Sequence, residues 1–423
     1  MQDNYIAAGV RTPFSRIDGA LATHDAVELS VPVVQVMSAR LRPSTLPDFV
    51  VWGSVVPNLG WSNIAREIWL DAKLDPRVPA YSVVLACASS VTAAVAAGGM
   101  LREGQRDLAL VGGVESMSRV QIGLDQKFSD WLRHFLQARA LGAKLETFGE
   151  LRWKNIRIHI PAVVNRTTGK SMGEHTEETA KEWGISREAQ DKWALKGHRR
   201  VIAARDRGFF DDLIIPVGPA VHDTIPRADT SMEKLAKLPP AFDKTSGQGT
   251  LTAGNSSPLT DGAASVWVAT EAGLRRLPDG TPYARLVDFE ITSVDLADEG
   301  LLMAPSYSIP RLFERHNLRY ADIDLWEIHE AFAAQVLANV AALEDKSWIK
   351  RRTGIERDFG PFPWERVNPN GSSIAIGHPF AATGARDLSQ CVKELFAMPK
   401  GSRAVVSVCA DGGQGVVTLL ERP

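Results

Sequence analysis

Short apolar runs alternate with helix-patterned stretches at both ends of this chain, and that repetition restricts the fold more than any other feature. Phe49 to Gly53 reads as a strand, Ala65 to Leu70 as a helix, Ser82 to Ala86 as a buried strand and Ser89 to Met100 as a helix of small residues. Asp107 to Val111 reads as a further strand, ended by Gly112 and Gly113. After residue 325 the grammar returns. Leu325 to Ile328 is strand-like, Ala331 to Leu343 and about Gly384 to Phe396 are helical, and Ala404 to Val408 is strand-like again. A turn over Cys409 to Gly413 leads into a last strand, Val416 to Leu420. Such alternation implies an α/β fold with a buried sheet. Two comparable halves imply a pseudo-duplicated fold that brings Cys87 and Cys409 together.

Residues from about 121 to 256 break this rhythm. They hold an aromatic and basic helical segment (Phe128 to Trp153), a polar helix (Glu174 to Arg207) and a loop rich in Pro and charge (Pro219 to Pro240). The stretch reads as an insertion that covers a site.

With 423 residues, 44% of them hydrophobic, the chain is long enough for two or three packed layers. Lys and Arg number 48 against 50 Asp and Glu, so there is no global basic field to hold nucleic acid, which is excluded as a partner class. The three cysteines, Cys87, Cys391 and Cys409, are spaced for neither a disulfide framework nor a zinc site, and fit a reducing compartment. The first residues carry no signal-peptide pattern, and no apolar run approaches the roughly 20 residues that span a bilayer. A cytoplasmic, bacterial location is expected; a mitochondrial matrix location fits less well because no transit peptide is visible.

Cys87 ends the apolar run Val83 to Ala86, just before a helix opened by Ser89 and Ser90. Amides and the dipole at such a terminus lower a thiol pKa and suit a covalent nucleophile. The plain alternative is an inert core cysteine, and the local pattern alone favours it. The balance changes at Asn368 to Pro379, where His378 is fixed between Gly377 and Pro379 and could take a thiol proton. Cys409 adds a second strand-end thiol beside Gly412, Gly413 and Gly415, where backbone amides can approach a substrate closely. Those glycines do not make a phosphate loop, since no Lys-Ser or Lys-Thr follows them. Cys391, on a helical pattern, reads as core. Glu330 reads as a structural hydrogen-bond partner.

These motifs, taken in order, resemble the thiolase family. The resemblance runs through Val10 to Phe14, Gly112 to Ser118, Ser171 to Glu174, Gly249 to Ser257, Asp261 to Ala264 and His329 to Phe332, and it ends on Gly377 to Pro379 and the Cys409 turn. His329-Glu330-Ala331-Phe332, where ordinary thiolases have Asn first, looks like the thiolase β subunits of trifunctional fatty-acid oxidation complexes. So do the insertion after Gly113 and the stretch Met232 to Phe242. The resemblance implies an αβαβα layered fold. Its N-terminal half is 1–120, completed by about 257–281; a loop domain is 121–256; a C-terminal half is 282–423.

It also implies a mechanism for a 3-ketoacyl-CoA thiolase. Cys87, deprotonated by His378, attacks the 3-keto carbon and keeps the acyl chain as a thioester. Cys409 protonates the departing acetyl-CoA enolate, and CoA then releases the acyl group. His378 and a water held by His329 would stabilise the enolate oxygen, and backbone amides of Cys87 and Asp411 the other oxyanion. Ser257 matches a CoA-contacting position, whereas Ser171 replaces a CoA-contacting His. No metal and no organic cofactor is implied, CoA being a co-substrate. Implied partners are acyl-CoA and CoA, a second copy as homodimer or dimer of dimers, a hydratase/dehydrogenase α subunit, and a peripheral membrane contact.

Other readings are an acetyl-CoA acetyltransferase working in the condensing direction, a ketoacyl synthase or hydroxymethylglutaryl-CoA-synthase-like enzyme, and a non-catalytic thiolase-like scaffold subunit. The second catalytic Cys argues against the synthases, and the intact set of four argues against the scaffold. Asp411 stands where the family has Gly or Ala, so its carboxylate either opposes a nearby oxyanion or turns away to cap the next turn. Phe128, Trp131, Leu132, Phe135 and Leu136 recur on one helical face, with Arg133, His134 and Arg139 toward another, and Leu141, Leu145 and Phe148 extend the stripe. The expectation is a partly exposed helical hairpin over the acyl entrance. Ordinary buried core is the alternative.

Overall fold

The computed structural model describes residues 2–159, 161, 163–296 and 298–423, and the backbone alone of Trp153. Nine strands, numbered along the chain, form the main path of one ten-stranded mixed sheet, and a short tenth, Ser15–Arg16, pairs beside the strand Thr260–Ala269. The nine are β1 Asn4–Arg11, β2 Phe49–Gly53, β3 Ala80–Ser82, β4 Leu108–Glu115, β5 Thr260–Ala269, β6 Tyr283–Ser293, β7 Leu325–Ile328, β8 Arg403–Ala410 and β9 Gln414–Glu421. Their spatial order is β7-β8-β9-β6-β1-β5-β4-β2-β3.

That order contains the duplication. In one half β1 is antiparallel to β5, β5 antiparallel to β4, and β4 parallel to β2. In the other, β6 is antiparallel to β9, β9 antiparallel to β8, and β8 parallel to β7. The start of β6 also pairs with β1, and this joins the halves. Two helices lie between them, Ser89–Arg102 and Thr383–Ala397, and they pack on each other. The first is short in side chain along its length because both faces are covered. Val91, Ala93, Ala94 and Ala97 are buried, and Gly98 accepts a hydrogen bond from Asn4 Nδ2 at its carbonyl (2.6 Å). Helices Ala26–Ala39 and Ala304–Arg315 cover the outer faces, which completes the αβαβα layering.

Several local expectations are corrected. The strand expected over Ser82 to Ala86 is Ala80–Ser82 instead, half-buried, and Val84 is 60% exposed. The chain leaves the sheet there because Ala86 turns it sharply with φ +43°. The strand expected to stop at Gly112 and Gly113 runs on to Glu115. Its glycines serve close packing, since a Cβ on Gly113 would lie 2.1 Å from the Ala381 carbonyl oxygen and one on Gly112 would strike the Trp52 ring. Cys409 lies inside β8 and not in the turn after it.

The inserted stretch holds more helix breaks than expected. The single polar helix over Glu174 to Arg207 is two, Met172–Glu182 and Arg187–Asp206. They are parted at Gly184 (φ +61°) and restarted by the Ser186 cap. The Pro-rich loop carries a short helix, Met232–Ala236. Phe128 onward does form a helical hairpin, Gln126–Gln137 and Leu141–Gly149, and no residue of either helix is buried. The aromatic rings of Phe128, Trp131 and Phe135 stack in sequence, and Trp131 Nε1 donates to the Thr147 carbonyl (2.7 Å). The expected segment ends on the Trp153 side chain, which lies outside the described residues.

Candidate active site

Cys87 follows the positive-φ residue Ala86 in a turn tied by Ser89, whose Oγ donates to the Ala86 carbonyl (2.7 Å) and accepts from the Leu85 amide (2.8 Å). A non-glycine residue in that conformation is costly, and it is kept by a structure that over-determines it. The turn aims a buried thiol at the floor of an apolar cavity of about 190 Å3. Val55, Val56, Met117, Val163, Met172 and Phe380 are among its walls, and Asp411 reaches its floor.

Four side chains expected to act together come from both halves. His378 sits where Gly377 (φ +114°) lets the chain turn beside Leu259. Its Nε2 is 3.0 Å from Cys87 Sγ, and its Nδ1 is 2.6 Å from Thr383 Oγ1. His329 follows β7, and its ring centroid is 4.2 Å from that of His378. Cys409, on β8, is buried, and the Ala331 amide donates to its sulfur. The ligand-type atoms of Cys87, His329 and His378 all lie within 4.8 Å of one another, a spacing that a metal ion or a single reacting carbon would also satisfy.

Electrostatics correct one expectation. Burial pushes the Cys87 thiol up to about 12 and the Asp411 carboxylate adds to this, although the amides of Cys87 and Asp411 donate to the sulfur and pull the other way. The short terminus of a helix does not outweigh complete desolvation. Burial, with Arg386 nearby, holds His378 down at about 3, and His329 is held well below the ordinary histidine range by burial, His378 and Arg386. Cys409 is raised well above the ordinary thiol range, mainly by burial. Burial thus disfavours the charged form of both the thiol and the imidazole.

The Asp411 carboxylate borders the cavity and also caps the next turn. Its Oδ1 accepts from the Gly412 amide (2.7 Å) and from Asn165 Nδ2 (3.0 Å). Ser257 points its Oγ at the Ala331 carbonyl (2.9 Å), so it fastens its loop to the His329 segment. Ser171 caps the helix Met172–Glu182 in a capping box with Glu174. Glu330 accepts from Trp193 Nε1, Asn368 Nδ2 and the Ile374 amide, and Cys391 is core, both as read from the sequence.

Other contributors were not singled out beforehand. Glu115 is buried and accepts from the Val55 and Val56 amides and from Ser54 Oγ, so it holds a wall of the cavity. Burial raises it to about 7 against those donors. Thr383, Ser373 and Arg386 sit behind the two histidines. Arg386 carries no motif of its own in the sequence, and its burial is set by tertiary packing.

Comparison with known proteins agrees with this arrangement. Residues 4–272 match the family described as "Thiolase, N-terminal domain" and residues 280–422 the one described as "Thiolase, C-terminal domain". A 3-ketoacyl-CoA thiolase of Erwinia tasmaniensis is 38% identical over 98% of this chain and 96% of its own. One of Yersinia pestis is 37% identical with the same coverage. The solved thiolase of Ascaris suum in complex with coenzyme A superposes with a TM-score of 0.81 at 26% identity, each chain covered in full. The Bacillus anthracis acetyl-CoA acetyltransferase gives 0.80 at 29% identity, with 100% of this chain and 99% of that one covered. With both of its domains matched from residue 4 to residue 422, the chain belongs to the thiolase family.

Proposed function

We propose that this acyltransferase is a 3-ketoacyl-CoA thiolase, cleaving 3-ketoacyl-CoA with CoA to acetyl-CoA and a shortened acyl-CoA in fatty-acid β-oxidation. The observation that carries the reading is His378 Nε2 at 3.0 Å from Cys87 Sγ, on the floor of a cavity with apolar walls. Cys87 gives its proton to His378 as its sulfur attacks the 3-keto carbon. The bond between C2 and C3 breaks, its electron pair passes into the acetyl-CoA enolate, and Cys409 protonates that carbon. CoA then attacks the acyl-Cys87, its thiol proton passing to the Cys409 thiolate, and the departing Cys87 thiolate recovers its proton from the His378 imidazolium. Amides of Cys87 and Asp411, already directed at the sulfur, are placed to serve one oxyanion, and His378 with His329 the other.

The apolar walls of the cavity beside Cys87 favour this over acetyl-CoA acetyltransfer in the condensing direction. Thiolysis measured across 3-ketoacyl-CoA chain lengths, followed by magnesium-enolate absorbance, tests it. Activity confined to acetoacetyl-CoA would favour the second reading, and no activity at any length the scaffold role.

The working units are 1–120 with 257–281, 121–256, and 282–423. The protein acts in the bacterial cytoplasm as a homodimer or dimer of dimers. In support of a second copy, the outer edge of β3 pairs with no strand among the described residues, and Val84 beside it is exposed. Among the described residues no helix is long and apolar enough to cross a membrane. The exposed hairpin, with Leu136, Leu141, Leu145 and Phe148 open to solvent, serves docking to an anionic membrane or to an α subunit.

A further inference from the structure

His329 has two ring nitrogens in different surroundings. Nδ1 is 2.8 Å from Ser373 Oγ, whereas Nε2 is buried with no hydrogen-bond partner among the described residues. Which nitrogen holds the proton decides whether this residue offers a donor or an acceptor to the substrate.

The groups behind Ser373 settle that choice. Arg386, 1% exposed, projects from the helix Thr383–Ala397 and donates to Ser373 Oγ at 2.8 Å, with longer contacts to Ser372 Oγ at 3.3 and 3.4 Å. A guanidinium only donates, so one lone pair of Ser373 is taken. The hydroxyl keeps a single proton, and the one acceptor it reaches among the described hydrogen bonds is His329 Nδ1. Were Nδ1 protonated instead, the hydroxyl proton would have no acceptor in a site with no exposed surface, an arrangement that buried polar groups avoid.

We infer that Ser373 and Arg386 are positioning residues that fix His329 in the neutral tautomer with its proton on Nε2, so that it presents an N–H to the water through which it would act on the enolate oxygen. The inference rests on the thiolase reading for its catalytic meaning, but not for its geometry. Nearby charge agrees with it. His378 lies a ring width away and must accept the thiol proton, and a second imidazolium beside it would oppose that transfer. A neutral donor stabilises an oxyanion without competing for the positive charge.

The test is two-dimensional NMR of the full-length protein labelled with 15N at histidine, His329 being assigned by its loss in His329→Asn. The parent should show a proton on Nε2 and a bare Nδ1, and Ser373→Ala should show a mixture of tautomers. In steady-state thiolysis Ser373→Ala should lose about tenfold in kcat, less than the complete loss of an oxyanion donor, with KM for CoA unchanged. Ser373→Thr, which keeps the hydroxyl, should restore most of it. In the His329→Asn background Ser373→Ala should cost nothing further. A proton on Nδ1 in the parent, or the same loss with and without His329, would overturn the inference. Failure of the thiolase reading looks different, because Cys87 would not acylate while the tautomer stayed readable. If Ser373→Ala does not fold, the parent spectrum and Ser373→Thr still decide.

Discussion

His378 Nε2 stands 3.0 Å from Cys87 Sγ although they lie 291 positions apart in the chain, and burial disfavours the charged form of each. Alkylation needs the thiolate. With the thiol pushed up to about 12, each unit of rising pH multiplies the thiolate fraction tenfold until that value is approached. Iodoacetamide labelling of Cys87, read by peptide mass mapping, should therefore climb steadily from pH 6 to pH 10 without a plateau. A plateau near pH 7 would mean a preformed thiolate–imidazolium pair.

Cys87→Ala should abolish both thiolysis and acyl-enzyme formation, a loss of several orders of magnitude in kcat. Cys409→Ala should differ in kind, still accepting an acyl group on Cys87 from acyl-CoA while proton exchange at the acetyl carbon fails. Mass spectrometry of the trapped acyl-enzyme separates the two. An acyl label on Cys409 of the parent protein would reverse the roles.

Gly113→Ala should both destabilise and disable. The new methyl would meet the Ala381 carbonyl oxygen at 2.1 Å, and that backbone belongs to the turn that follows His378. Overpacking of this sort costs about 1–3 kcal/mol, and here relief requires the His378 turn to move away from the Cys87 half. A lowered Tm together with a lowered kcat checks it; a lowered Tm with unchanged kcat would show that the turn does not shift.

Asp411→Ala should lower turnover, because the carboxylate caps Gly412 and holds Asn165. Asp411→Asn keeps an acceptor and removes a charge that raises the Cys87 thiol, so Cys87 should alkylate faster at fixed pH. Stopped-flow thiolysis and the labelling assay give the two readings. A higher turnover for Asp411→Ala would put the carboxylate back against the oxyanion.

Replacing Trp131 and Phe135 together with Ser should leave the global Tm within a few degrees, since neither helix of the hairpin has a buried residue, while abolishing co-sedimentation with anionic liposomes. A large loss of Tm without liposome binding by the parent would make the segment ordinary core.

Legibility in the sequence followed the physical reach of each interaction. The strand Leu325 to Ile328 and the helix behind Cys87 were readable because their patterns are local. That Cys87, His378, Cys409 and His329 would lie together was readable through their turns and motif order. The pKa direction of Cys87 was not, because desolvation depends on what the remote half places over the thiol. Glu115, Ser373 and Arg386 were missed for the same reason. A carboxylate gathering amides of residues some 60 positions away leaves no periodic trace, and neither does a guanidinium buried behind a histidine. Gly112 and Gly113 were misread as a stop because close approach and chain termination use the same residue.

Cys87 and His378, the proposed nucleophile and base, each stand just ahead of one of the two central helices, and those helices belong to different halves. Two identical copies held in that relation would have to offer the same side chain to each other, two thiols or two imidazoles. Joining the copies into one polypeptide lets each position mutate on its own. In this chain the two equivalent positions carry different side chains, the Cys87 thiol and the His378 imidazole, an asymmetry that a single polypeptide permits and an exact two-fold pair does not.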